Sequence, residues 1–219
     1  LSCARVKSRG MRHGCEGNPD LHLDNRAAPD LISRPIMKIS LLARENTGLI
    51  IIDAQERLMQ VMGNPERVSD RIVKLLHLAR IFHLPVILTE QNPKLLGPTV
   101  PAVRGVLPHY SPIEKLDFDC CNVDLFSTRL EEKTLRNIIL TGVETHICIF
   151  QTCISLLERG YTVHVPHHAV DSRTADNRQI GLSLMREAGA VITSAETIIF
   201  QILKRAGTVE FKEMLKIVK

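Results

Sequence analysis

A thiol at Cys148, a carboxylate at Asp53 and an ammonium at Lys115 are the side chains whose types and settings could do chemistry. Cys148 follows Ile138-Ile139-Leu140-Thr141-Gly142-Val143-Glu144-Thr145-His146-Ile147, which reads as a buried strand, a sharp turn and a helix start with the thiol in its first turn. Unpaired backbone N–H groups at such a start carry partial positive charge, so they lower a thiol's pKa and can hydrogen-bond an oxyanion. The same cysteine also fits the description of a small buried hydrophobe, because free cysteine is among the most buried residue types. Asp53 ends the apolar run Gly48-Leu49-Ile50-Ile51-Ile52, where partial desolvation raises a carboxyl toward a usable base. Its alternative is an N-cap for the following helix. Lys115 stands just ahead of the short run Leu116-Asp117-Phe118, a setting that suits a solvated surface lysine as well as a site cation.

The elements that must position these groups are read from periodicity. Apolar stretches at residues 48–53, 85–90, 116–118, 137–141, 161–165 and 190–193 are continuous rather than alternating, the mark of strands covered on both faces. Helical patterns lie between them at 65–82, 123–132, 148–159 and 174–188, with Gly160 and Gly189 as stop signals. Two shorter helices are predicted near 195–206 and 209–218. The predicted fold is three-layer α/β/α, a doubly wound and mostly parallel six-stranded sheet with helices on both faces. Ligands of such sheets bind outside the carboxyl ends of the strands, where Asp53, Glu90, Gln91 and the turn after Thr141 all fall. The loop over residues 91–112 has a length that is often functional.

Composition narrows the function classes. The chain has 219 residues, 44% hydrophobic and 24% charged, the balance of a soluble globular protein with one sizeable core. Its net charge of +4 does not cluster with aromatics, so nucleic acid is not an expected partner. No stretch has the length a bilayer span requires, so no membrane is expected either. Six cysteines without regular spacing do not form a disulfide framework, which points to a reducing compartment. Residues 1–36 lack periodicity and read as a non-core extension, either upstream sequence or a cloning remnant, with the folded domain at 37–219. The acid-free stretch 1–15 admits a transit peptide, against which Glu16, Asp20, Asp24 and Asp30 argue. The cytoplasm is therefore the expected location, with the mitochondrion as the alternative.

Several segments together resemble the isochorismatase-like cysteine hydrolases. They are Leu49-Ile50-Ile51-Ile52-Asp53-Ala54-Gln55, Thr89-Glu90-Gln91 with the stretch to Val100, Lys115 with Phe118, and Gly142-Val143-Glu144-Thr145-His146-Ile147-Cys148. The likeness spans residues 39–219 and is nearest to the eukaryotic isochorismatase-domain-containing proteins, in which Thr-Glu-Gln and a Phe-Lys-Glu segment like Phe211-Lys212-Glu213 recur. The resemblance implies a Rossmann-like fold and an Asp-Lys-Cys triad of Asp53, Lys115 and Cys148. In it Asp53 would take the thiol proton, Lys115 would hold the thiolate and orient the carboxylate, and Cys148 would attack a carbonyl carbon. It also implies an oxyanion hole from the backbone N–H groups of Glu144 and Cys148, arranged by a cis peptide between Val143 and Glu144.

The resemblance implies no cofactor. Glu90-Gln91-Asn92-Pro93 occupies the place where nicotinamidase-like members carry an Asp-x-His metal motif, so no zinc or iron site is predicted there. Classical isochorismate hydrolases lack the cysteine at the nucleophile position, so Cys148 argues against isochorismate as substrate. The expected substrate is a small amide or related carbonyl compound, hydrolysed through a covalent thioester. A catalytically idle binding or scaffold protein on the same fold is the alternative. Gln55, Gln91 and Phe118 are candidates for substrate contact, with loop-stabilising or packing roles as alternatives. His164, His167 and His168 lack ligand spacing for a metal, and vicinal Cys120 and Cys121 read as free thiols. A homo-oligomer is expected, partly from the resemblance and partly from apolar Ile198, Ile199, Phe200, Ile202 and Leu203. Dinucleotide binding fails because no Gly-x-Gly-x-x-Gly follows the first strand.

Overall fold

The computed structural model describes residues 41–218; the expectations for residues 1–36 and for the start of the domain lie outside them. A short 3-10 turn, Arg44–Asn46, leads into β1 (Thr47–Ile52), whose six residues are all buried. Then come α1 (Glu56–Met59), α2 (Pro65–Phe82), β2 (Val86–Gln91), α3 (Pro93–Leu96), α4 (Pro101–Arg104) and β3 (Ile113–Lys115). The second half contains α5 (Asp124–Glu131), β4 (Asn137–Val143), α6 (Phe150–Glu158), β5 (Thr162–Pro166) and β6 (Val170–Asp171). It closes with α7 (Ala175–Ala188), β7 (Val191–Thr193), α8 (Ala195–Leu203) and α9 (Val209–Val218).

The strands are parallel in the order β3-β2-β1-β4-β5-β7, with β6 paired to the end of β4. The sheet thus has seven strands where six are predicted; β6 is too short to leave a periodic signal. Alternation along β1 sends Leu49 and Ile51 to one face, against α2, α8 and α9, and Ile50 and Ile52 to the other, against α5, α6 and α7. Both faces are covered, which is why β1 and β4 read as unbroken apolar runs. The chain winds outward from β1 through β2 to β3, then returns to lay β4 on the other side of β1. The switch point therefore falls between β1 and β4, whose carboxyl ends deliver Asp53 and the Cys148 turn.

Two local expectations are corrected. The short edge strand is Ile113–Lys115 rather than residues 116–118, because Ile113 and Lys115 point inward while Leu116 is 73% exposed. The apolar side of α8 is spent within the protein: Ile198, Ile199, Ile202 and Leu203 pack in the core beside α2, and only Phe200 of the five is exposed. Among the described residues no helix is long and apolar enough to cross a membrane.

Candidate functional site

Asp53 leaves β1 with a φ of 51°, a left-handed conformation that aspartate tolerates better than most residues. This turn directs the chain away from the sheet while the carboxylate stays fully buried, so Asp53 does not cap a helix; Gln55 precedes α1. Thr89 on β2 donates its hydroxyl to Asp53 Oδ1 at 2.8 Å, and Lys115 Nζ donates to Oδ2 at 2.6 Å. Lys115 Nζ also donates to Gln91 Oε1 at 2.8 Å and to the Asp117 carbonyl at 3.1 Å. An ammonium has three donors and all three are used, so Lys115 is a fixed cation. Burial pulls the pKa of Lys115 down, but the neighbouring acidic groups, Asp53 first, outweigh it and the net direction is upward.

Cys148 reaches this corner from the other side of the switch point. It lies in a π-helical turn, Thr145–Ile149, in which Ile149 N–H donates to the Glu144 carbonyl at 3.2 Å before α6 begins. Such a bulge re-aims one side chain at a helix start. The thiol is buried and lies within the electrostatic reach of Asp53. Burial pushes the Cys148 thiol well up, the charge of Asp53 adds to the rise, and Lys115 opposes it. The expected lowering by the helix start is therefore overturned in the resting site, where sulfur is held as a thiol because desolvation and a facing carboxylate outweigh the backbone dipoles.

The turn itself is fixed from three directions. Gly142, at φ 114°, lies so close to Ile52 that a Cβ there would overlap the Ile52 carbonyl oxygen, at 1.9 Å. Gly181 on α7 lets that helix approach the turn; a Cβ there would sit 2.9 Å from the Thr145 carbonyl oxygen. The Glu144 carboxylate, nearly buried, accepts from Arg173 N–H at 3.0 Å and from Arg173 Nε at 3.1 Å. The peptide bond between Val143 and Glu144 is cis.

Gln55, fully buried, gives its amide N–H groups to the carbonyls of Gln91 at 3.0 Å and Gly97 at 2.7 Å, and its oxygen accepts from Gln91 N–H at 2.7 Å. It thereby clamps the start of the 91–112 loop. Gln91 spends its own side chain on Lys115 and, at 2.7 Å, on the Leu116 carbonyl. Glu90 holds the same loop through one oxygen that accepts from Thr99 N–H and Thr99 Oγ1, each at 2.6 Å, and from the Tyr110 hydroxyl. Phe118 is half exposed.

Sequence reading missed Thr89, Gly181 and Arg173, and did not place Cys120. The Cys120 thiol, fully buried, donates to Thr89 Oγ1 at 3.9 Å, so a second sulfur stands behind the Asp53 carboxylate. Burial pushes its pKa up to about 12. A glycine within an otherwise helical pattern was the available signal for Gly181. For Thr89 the signal was its place at a strand end, in the Thr89-Glu90-Gln91 segment that carries the resemblance.

The fold is a doubly wound, mostly parallel α/β sheet, and the isochorismatase-domain family model matches residues 47–197. The chain belongs to the isochorismatase family. It is 36% identical over 185 residues to isochorismatase domain-containing protein 2 of Xenopus laevis, covering 84% of this chain and 88% of that one. MAR1 ribonuclease from Caenorhabditis elegans superposes with a TM-score of 0.77 at 34% identity, covering 82% of this chain and 92% of that one. The ycaC gene product of Escherichia coli, an octameric hydrolase of unknown specificity, gives a TM-score of 0.77 at 20% identity over 82% and 91% of the two chains, a likeness of fold alone.

Proposed function

We propose that the protein is a metal-independent cysteine hydrolase acting on a small amide or related carbonyl compound, with Cys148 as nucleophile, Asp53 as proton carrier and Lys115 as fixed cation. The observation that carries this reading is the 2.6 Å Lys115–Asp53 pair, both of whose charges act on the buried Cys148 thiol. Substrate entry would bring an electrophilic carbon to a thiol that is neutral at rest. The Cys148 proton passes to Asp53 as the sulfur–carbon bond forms, and the oxyanion is received by the backbone N–H groups of Glu144 and Cys148. Collapse of the tetrahedral adduct breaks the carbon–nitrogen bond, and Asp53 returns the proton to the departing amine. Water, deprotonated by Asp53, then attacks the thioester and releases the acid with the thiol restored. Lys115 keeps its charge throughout, since every donor is engaged.

Mass spectrometry of the protein after exposure to a library of small amides and esters, quenched in acid, tests this reading. An acyl mass on the peptide bearing Cys148, lost in Cys148→Ala, is the expected result. Equal hydrolysis by Cys148→Ala and the parent protein would overturn it. The raised thiol pKa favours a second reading, an idle binding or scaffold protein, and a folded protein that gives neither adduct nor turnover across the library selects it.

The protein is further proposed to assemble with copies of itself, on the octameric state named for the E. coli relative in fold and on exposed Ile180, Leu184 and Phe200. Light scattering that finds a monomer at micromolar concentration removes this. The four cysteines of the described residues are free thiols, in keeping with a reducing compartment such as the cytoplasm.

A further inference from the structure

A cavity of about 470 Å³ opens at the carboxyl ends of β5 and β7, and none of Asp53, Lys115 and Cys148 lines it. Arg178, Leu182 and Arg186 are spaced four apart on α7 and line one wall together with Gln179. The facing wall is His167, just beyond β5, and Thr193, Ser194 and Thr197, where β7 passes into α8. Its lining contains two guanidinium groups, an imidazole and three hydroxyls, and no Asp or Glu. Asp171, the acid 3.7 Å from Arg178 Nε, is buried and lies outside the lining.

The positive charge here is incompletely answered. Arg178 donates Nε–H to the Val170 carbonyl at 3.2 Å and an Nη2 hydrogen to the His167 carbonyl, which holds its planar fork in place. Its Nη1 donors have no partner among the described residues, and Arg186 makes no ion pair there. Arg67 on α2 lies outside the lining but acts on its His167 imidazole, together with Arg178 and Arg186. His168, whose ring centroid lies 3.5 Å from that of His167, is pushed down to about 4, by burial first and then by His167, Arg67, Arg178 and Arg71. Arg67 also carries a buried Nε without a partner among the described residues. On the opposite wall the Ser194 and Thr197 hydroxyls share one hydrogen bond, 2.8 Å long, which leaves one of their two hydrogens free to donate. Ser194 caps α8 by accepting Thr197 N–H at 3.0 Å, and the first N–H groups of that helix have no intrahelical acceptor.

We propose that this cavity binds the phosphate group of a small phosphorylated molecule, at a site separate from the triad. Donors approach from two walls, which suits a tetrahedral dianion with several acceptor oxygens better than a planar carboxylate or a spherical halide. The volume exceeds what the anion alone fills and leaves space for its organic part. A fixed fork at Arg178 and a free one at Arg186 divide the work: the first is preorganised, the second closes on the ligand.

Calorimetric titration with inorganic phosphate, at ionic strength held constant with chloride, reads the site directly. Saturable one-to-one binding is expected, and it should persist after Cys148 is alkylated with iodoacetamide. Arg186→Gln should weaken it about tenfold, the loss of one charge-assisted hydrogen bond, while thermal melting shows the fold unchanged. Arg186 is exposed and forms no ion pair among the described residues, so this variant is expected to fold. Glycerol 3-phosphate, titrated beside glycerol, separates the two sources of the anion: tighter binding than inorganic phosphate assigns the cavity to a phosphorylated metabolite, and equal binding to the free anion. The proposal is overturned if phosphate binds no better than chloride, if Arg186→Gln binds as the parent does, or if alkylation of Cys148 abolishes binding.

Discussion

Lys115 Nζ and Asp53 Oδ2 stand 2.6 Å apart with both side chains completely removed from solvent. A buried pair is balanced only as a pair, since either charge left alone keeps its desolvation cost without its partner. Lys115→Met should therefore destabilise the fold by about 3–5 kcal/mol and stop turnover. Adding Asp53→Asn to that variant should recover much of the stability and none of the activity. Urea denaturation of the two single variants and the double variant checks this. A double variant as unstable as the sum of the singles would mean the two groups are uncoupled.

Cys148 is held as a thiol by burial and by the charge of Asp53, with Lys115 opposing. Without substrate, alkylation of Cys148 should be slow at neutral pH and accelerate only on the alkaline side. Asp53→Asn removes the largest cause of the rise after burial and leaves the opposing cation, so the onset of labelling should move to lower pH. Peptide mapping after iodoacetamide at a series of pH values reads this shift. An onset that stays in place or moves upward would show that Asp53 does not act on the sulfur.

The parts of this architecture legible in the sequence were those decided by local pattern. β1 and β4 are apolar throughout because both faces are covered, and α2 carries its buried Val68, Ile72, Leu75 and Leu76 at helical spacing. Asp53 and the Cys148 turn could be placed at strand ends, and a doubly wound sheet brings such ends together. What failed depended on partners distant in the chain. Leu116 and Phe118 look like strand residues but face solvent, while Lys115 turns inward because its ammonium finds Asp53, 62 positions away. The lowered thiol pKa expected at a helix start failed for the same reason: the carboxylate that reverses it comes from another strand.

Gly181 meets the Thr145 carbonyl oxygen across the contact between α7 and the turn that carries Cys148. In an exposed helix, replacing glycine by alanine gains about 0.5–1 kcal/mol. Here the new Cβ would lie 2.9 Å from that oxygen and 3.0 Å from the His146 backbone, so helix or turn must move. Gly181→Ala should accordingly destabilise, by roughly 1–3 kcal/mol as overpacking does, and should reduce turnover by displacing Cys148. Thermal denaturation gives the sign at once. A gain in stability would show that α7 does not press on the turn.

His164 on β5 is buried with both ring nitrogens unpartnered among the described residues, and burial holds its pKa down to about 4. The unfolded chain, with an ordinary imidazole near 6.5, binds this proton first, so between pH 6.5 and 4 protons favour unfolding. Stability should be intact above that window and fall as pH descends through it, by about 3 kcal/mol in all for this one group. His164→Leu fits the same apolar surroundings and has nothing to protonate, so its urea midpoint should lose this slope between pH 6.5 and 4. Carboxylates titrate toward the lower end of the same range, which makes the difference between parent and variant the quantity to compare. Parallel profiles would mean that the imidazole is solvated or paired in the folded protein.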